Sequence, residues 1–118
     1  MPPKTEVAVF EDDKNWQDII KRVLKDEGHR VVLTATNIED ALEATKRLKE
    51  LGVKVATIDG NLNDWEASGN DGQAIIAAIK ANAPGVKTVG MSGLGMRGVD
   101  IYVGKANASD LGKIVTKL

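Results

Sequence analysis

The stretch Val53-Lys54-Val55-Ala56-Thr57-Ile58-Asp59-Gly60-Asn61 decides the fold. A run rich in β-branched residues stops at a carboxylate and then a glycine, so it reads as a buried strand that delivers Asp59 at its carboxyl end. Open α/β sheets bind ligands just outside the carboxyl ends of their strands. The same punctuation recurs on both sides of this strand. Val7-Ala8-Val9-Phe10 runs into Glu11-Asp12-Asp13, Val86 to Met91 runs into Ser92, and Asp100 to Val103 runs into Gly104-Lys105. These four strand ends, carrying acids, a hydroxyl and an ammonium, are expected to meet at one site.

Helical patterns fill the intervals. Between Lys14 and Glu27, apolar residues at Trp16, Ile19, Ile20, Val23 and Leu24 form one amphipathic stripe, with Asp13 as the cap and Gly28 as the stop. Arg30 to Thr36 reads as a strand. Asn37 caps a helix that carries Ile38, Ala41, Leu42, Leu48 and Leu51 inward and ends at Gly52. After a polar loop over 61–70 that contains Trp65, Asp71-Gly72 opens a third helix with Ile75, Ile76 and Ile79 on its stripe, closed by Asn82-Ala83-Pro84-Gly85. Asn107 or Ser109 is expected to cap a last helix bearing Leu111, Ile114, Val115 and Leu118. Strands that alternate with helices imply a parallel sheet with helices on both faces.

Composition narrows the function. The 118 residues suit a single domain over 1–118, with 42% hydrophobic and 28% charged residues. Sixteen basic against seventeen acidic residues leave a net charge of -1, which gives no reason to expect nucleic acid. Without cysteine, disulfide, thiolate-metal and thiol-nucleophile chemistry are excluded. No apolar run long enough for a membrane span and no signal-peptide pattern is present, so a soluble cytoplasmic protein without membrane partners, output domain or long linker is the expectation. The single histidine, His29, follows a helix end and reads as structural and exposed.

One connection breaks the alternation. Only seven residues, three of them glycine, lie between Ser92 and Asp100. A parallel crossover takes about a dozen residues or more, so a short loop is expected there in place of a fourth helix. Apolar side chains of strands four and five would then be bare or covered by a partner chain. The loop matches G-x-G-x-x-G from Gly93 to Gly98, but a strand and not a helix follows, so a dinucleotide site is not expected. Asn107-Ala108-Ser109 is a glycosylation sequon by pattern only.

If Glu11, Asp12 and Asp59 converge, they repel one another unless a cation sits among them. A hard, oxygen-liganded divalent ion suits such a cluster, and Mg²⁺ typically takes one or two carboxylates plus phosphate oxygens. Carboxylates also act as nucleophiles that form aspartyl-phosphates. A lysine and a hydroxyl nearby would hold phosphoryl oxygens, so the set suits phosphoryl transfer, where positioning and charge stabilisation dominate.

With these residues in order, nearly the whole chain resembles a response-regulator receiver domain, the phosphoacceptor module of two-component signalling. Val-Phe-Glu-Asp-Asp at 9–13 resembles the acidic pair after the first strand. Thr34-Ala35-Thr36-Asn37 with Glu39-Asp40-Ala41-Leu42 resembles the second strand-to-helix junction. Ile58-Asp59 resembles the phosphoacceptor strand end, and Asp71-Gly72 the start of the third helix. Met91-Ser92-Gly93 resembles the hydroxyl position, and 98–105 the fifth strand with its aromatic and lysine. The resemblance implies a flavodoxin-like, doubly wound, five-stranded parallel sheet of order 2-1-3-4-5. It implies that Asp59 accepts a phosphoryl group from a histidine kinase or histidine phosphotransfer protein. Asp12 and Asp59 would bind Mg²⁺ directly, Glu11 through water, and the carbonyl of Asn61 would complete the protein ligands. Ser92 and Lys105 would hold phosphoryl oxygens, and Ser92 and Tyr102 would act as the conformational switch. Such a domain is not an enzyme in the ordinary sense, since it catalyses only its own phosphoryl transfer and dephosphorylation.

Three features depart from the pattern: the missing fourth helix, the longer loop carrying Trp65, and Ala106 where the family has proline, so that a trans bond is expected after Lys105. The missing helix motivates a second reading, a phosphorylation-independent pseudo-receiver that binds proteins or forms a homodimer through the exposed face. A third reading, an aspartate-nucleophile phosphohydrolase, would want a carboxylate two residues after Asp59, where Asn61 stands.

Overall fold

In the computed structural model, residues 5–59, 70–91 and 98–118 are described, without the side chains of Asn70, Asp71 and Lys105. The elements run β1 (Glu6–Phe10), α1 (Lys14–Asp26), β2 (Arg30–Ala35), α2 (Ile38–Thr45), β3 (Val55–Ile58), α3 (Asn70–Asn82), β4 (Lys87–Gly90), β5 (Ile101–Tyr102), a 3₁₀ helix (Lys105–Asp110) and α4 (Leu111–Lys117). The strands form one sheet in the order β2-β1-β3-β4-β5, and every neighbouring pair is parallel. This is the parallel sheet expected from the alternation, in the flavodoxin-like order that the resemblance implied.

Alternation along the strands divides the core in two. Val7, Val9, Val55 and Val89 face one side, where they pack with Ile20 and Leu24 of α1 and Leu111 and Val115 of α4. Ala8, Phe10, Ala56 and Ile58 face the other, against Ala41 of α2 and Ile75 and Ile79 of α3. Both faces are covered, so the central strands are apolar at nearly every position. Strand β2 departs from this alternation. Its register against β1 slips between Val7 and Ala8, which pair with Val31 and Leu33, leaving Val32 as the extra residue of a bulge. Val31 therefore packs toward α1, while Val32 and Leu33 both pack toward α2.

Several boundaries differ from the sequence expectation. Helix α2 stops at Thr45, not at Gly52. The buried Thr45 hydroxyl donates to the Leu42 carbonyl at 2.7 Å and accepts the Asn82 side-chain amide at 3.0 Å. Such back-bonding draws on the helix's own carbonyls and bends or ends it. Leu48 is still buried, now from the following turn, whereas Leu42 and Ile19, expected inward, are 36% and 43% exposed at the edges of their stripes. Neither Asn107 nor Ser109 caps the last helix. The 3₁₀ helix runs straight into it through Asp110, whose side chain makes no capping bond. Strand β5 is two residues long because Asp100 does not extend it but clasps its neighbour: its carboxylate accepts from the Thr88 N–H at 2.8 Å and the Thr88 hydroxyl at 3.2 Å.

Between β4 and β5 the described residues, 91 and 98–100, carry no helix; 92–97 lie outside the described residues. Val99 packs against the α2–α3 core, and Tyr102 is 41% exposed on β5. No cis peptide bond occurs among the described residues, so the bond after Lys105 is trans.

His29 corrects the reading of an exposed residue. It is 4% exposed, with Nε2 2.9 Å from the Gly112 carbonyl and 3.0 Å from the Thr116 hydroxyl. Helix α4 approaches closely enough here that a Cβ on Gly112 would strike the Glu27 side chain and lie 2.9 Å from the Val23 carbonyl. Gly112→Ala is therefore expected to destabilise the fold by about 1–3 kcal/mol through overpacking. Urea unfolding should show a lower midpoint with an unchanged slope.

Candidate functional site

At the carboxyl rim each strand is tied to the next by one further bond. The Glu11 N–H donates to Ala35 of β2 at 3.0 Å and the Asp59 N–H to Phe10 of β1 at 2.8 Å. Met91 donates to Ile58 at 2.8 Å and Val103 to Gly90 at 2.8 Å. Because Phe10 pairs with Ile58, the next residues, Glu11 and Asp59, sit side by side on adjacent strands. Phe10 and Ile58 point into the α2–α3 core, so by the period of two the two acids turn to the opposite face.

One carboxylate oxygen from each of Glu11, Asp12 and Asp59 lies within 4.8 Å of the other two. Glu11 is 1% and Asp59 6% exposed, with Asp12 half-buried. The cluster is all-oxygen and anionic, and this donor set fits a hard divalent cation such as Mg²⁺ far better than a soft metal. Asp13 has a different task. It is exposed, and its carboxylate accepts from the N–H groups of Asn15 at 2.8 Å and Trp16 at 3.2 Å, capping α1. This is the cap that the helical spacing predicted for Asp13.

Other expected members are placed in part. The backbone of Lys105 opens the 3₁₀ helix two residues after Val103, at the same rim, while its side chain lies outside the described residues. Ser92, Asn61 and Trp65 also lie outside them. Tyr102 is on β5, its side chain 41% exposed. One contributor was missed from sequence. Gln17, 6% exposed on α1, directs its side-chain amide at the Glu11 carbonyl over 3.5 Å, and the Asp13 N–H donates to the Glu11 carboxylate at 3.2 Å. The signal was available, since Gln17 is a polar residue on the same face as Ile20 and Leu24.

Known structures share this architecture. A CheY-like response regulator receiver domain protein from Methanospirillum hungatei matches with a TM-score of 0.76 at 22% identity, over 96% of this chain and 91% of that one. A CheY-like receiver domain from Methylobacillus flagellatus gives 0.73 at 24% identity, over 96% and 97%. A chain of the CheX–CheY–BeF3–Mg²⁺ complex from Borrelia burgdorferi gives 0.79 at 15% identity, over 96% and 87%. No protein-family model and no curated protein matches the chain. The chain has the CheY-like receiver fold, shared across nearly its whole length at low identity. Among the described residues no helix is long and apolar enough to cross a membrane.

The different surroundings of Asp12 and Asp13 separate experimentally. Asp12→Asn is expected to weaken divalent-cation binding about tenfold or more, the equivalent of about 1.4 kcal/mol, in a calorimetric Mg²⁺ titration. Asp13→Ala should leave that binding in place while lowering stability by about 1 kcal/mol through the lost cap.

Proposed function

We propose that this chain is a response-regulator receiver that takes a phosphoryl group on Asp59 from a phosphohistidine donor, with Mg²⁺. The single observation that carries the reading is the convergence of Glu11, Asp12 and Asp59 at the carboxyl rim of a receiver-type sheet. In the proposed reaction a carboxylate oxygen of Asp59 attacks phosphorus. A P–O bond forms as the P–N bond to the donor imidazole breaks, and the imidazole leaves with the electron pair and takes up a proton. The chain's own residues position the nucleophile. The bond from the Asp59 N–H to Phe10 fixes its backbone, and burial at 6% exposure limits its rotamers and its access to water. Glu11, Asp12 and Asp59 would hold the cation, which supplies positive charge to the phosphoryl oxygens. Ser92 and Lys105 complete the proposal as phosphoryl-oxygen donors, with the Asn61 carbonyl as a further metal ligand and Ser92 and Tyr102 as the switch. The donor would be a histidine kinase or a histidine phosphotransfer protein, and cytoplasmic localisation goes with that partnership.

A second reading, a pseudo-receiver that binds proteins through the β4–β5 face, draws on the exposure of Tyr102 there. Incubation with acetyl phosphate and Mg²⁺, followed by intact-mass measurement, distinguishes the two. One phosphoryl mass is expected on the parent chain and none on Asp59→Asn or after chelation. An unmodified parent chain, or equal labelling of Asp59→Asn, would overturn the phosphoacceptor reading.

A further inference from the structure

We propose that the open edge of β2, on its α1 side, docks an extended acidic segment of a partner protein. Strand β2 ends the sheet, and no strand among the described residues meets its outer edge. Along that edge runs a groove of 720 Å³ lined by Lys21, Lys25, Arg30, Val31, Val32 and Leu33, among others. Pockets for bound molecules span about 300–1,000 Å³, so the groove holds several side chains. Its floor is apolar and its charged rim is wholly basic. Lys25 and Arg30 are exposed and Lys21 half-buried, and among the described residues no carboxylate comes within ion-pair reach of any of the three. Three cations without an ion pair among the described residues, beside half-buried valines in a chain of net charge -1, select a ligand that is both acidic and apolar.

The shape of the edge selects an extended ligand. Successive residues from Gly28 to Thr34 line the groove, so it follows the strand. A second groove of 410 Å³ lies against α2 and shares Val32, Leu33 and Thr34 with the first. A chain laid along β2 would drop alternate side chains into the two grooves. The α2-side groove carries Asp40, Glu43 and Arg47, so the ligand's acidic side chains belong on the α1 side. The bulge at Val32 breaks the regular ladder a second copy of β2 would need, which favours a foreign segment held by side chains. The groove begins at the amino end of β2, whereas Glu11 meets its carboxyl end at Ala35. Docking there leaves the carboxylate rim open.

The probe is a pair of acetylated hexapeptides alternating valine with glutamate or with lysine, titrated into the full chain and followed by amide NMR. The glutamate peptide is expected to give saturable shifts concentrated on 28–34 and the last turn of α1. Lys21→Glu combined with Arg30→Glu should weaken binding about tenfold or more, added salt should weaken it too, and Asp59→Ala should not. The milder pair Lys21→Gln and Arg30→Gln must also weaken it, which covers misfolding of the charge-reversed protein. Equal binding of the lysine peptide, the absence of saturable shifts, shifts centred elsewhere, or concentration-dependent self-association through β2 would each overturn the proposal.

Discussion

The close approach of three carboxyl groups is the constraint around which this fold is arranged. Two like unit charges at the 4.8 Å that bounds these oxygens would repel by about 3 kcal/mol at an effective dielectric constant of about 20, so the cluster favours a cation among them. At this rim Glu11 and Asp59 have almost no contact with water. A sequence selected only for stability would place apolar or neutral residues there. The sheet instead fixes the acids with backbone bonds, so that they do not relax apart. The bonds from Glu11 to Ala35 and from Asp59 to Phe10 each extend a ladder one residue beyond its strand. Helix α1 completes the restraint through Asp13, which caps the helix and also donates its N–H to Glu11.

The central sheet and its acidic rim were legible in the sequence because they depend on local signals. β1 and β3 are apolar runs closed by acids, and the caps at Asp13 and Asn37 sit where spacing puts them. What was not legible depends on neighbours distant in the chain. His29 follows a helix stop and resembles a surface residue, yet it is buried by Gly112 and Thr116, more than eighty positions away. Thr45 ends α2 partly through a partner on α3. Val31-Val32-Leu33 reads as an ordinary strand, while its bulge is a matter of register against β1. Tyr102 was assigned to the switch by resemblance, and the fold fixes only its place on β5 and its exposure.

The same division runs through the candidate site. Glu11, Asp12 and Asp59 are brought together by adjacent strands, and strand ends can be read from sequence. Asp13 caps α1 as its spacing predicted, whereas the choice of Glu11 and Asp12 as the acidic pair came from the resemblance. Gln17 shows the converse, a polar residue on a buried helical face that local pattern marks as anomalous and only tertiary contact explains.

Helix α4 links the two ends of the molecule. Its chain begins at the rim with Lys105, passes through the 3₁₀ segment with a kink at Asn107, and ends against the α1–β2 corner. A carbonyl only accepts hydrogen bonds, so His29 must carry a hydrogen on Nε2 to meet Gly112. Nδ1 is buried without a partner among the described residues, so the imidazole is oriented through Nε2, by Gly112 and Thr116. With Gly112 packed against Glu27 and Val23, α4 has little freedom to slide at this end. The kink at Asn107, whose dihedrals are not helical, separates this anchored end from the rim at Lys105.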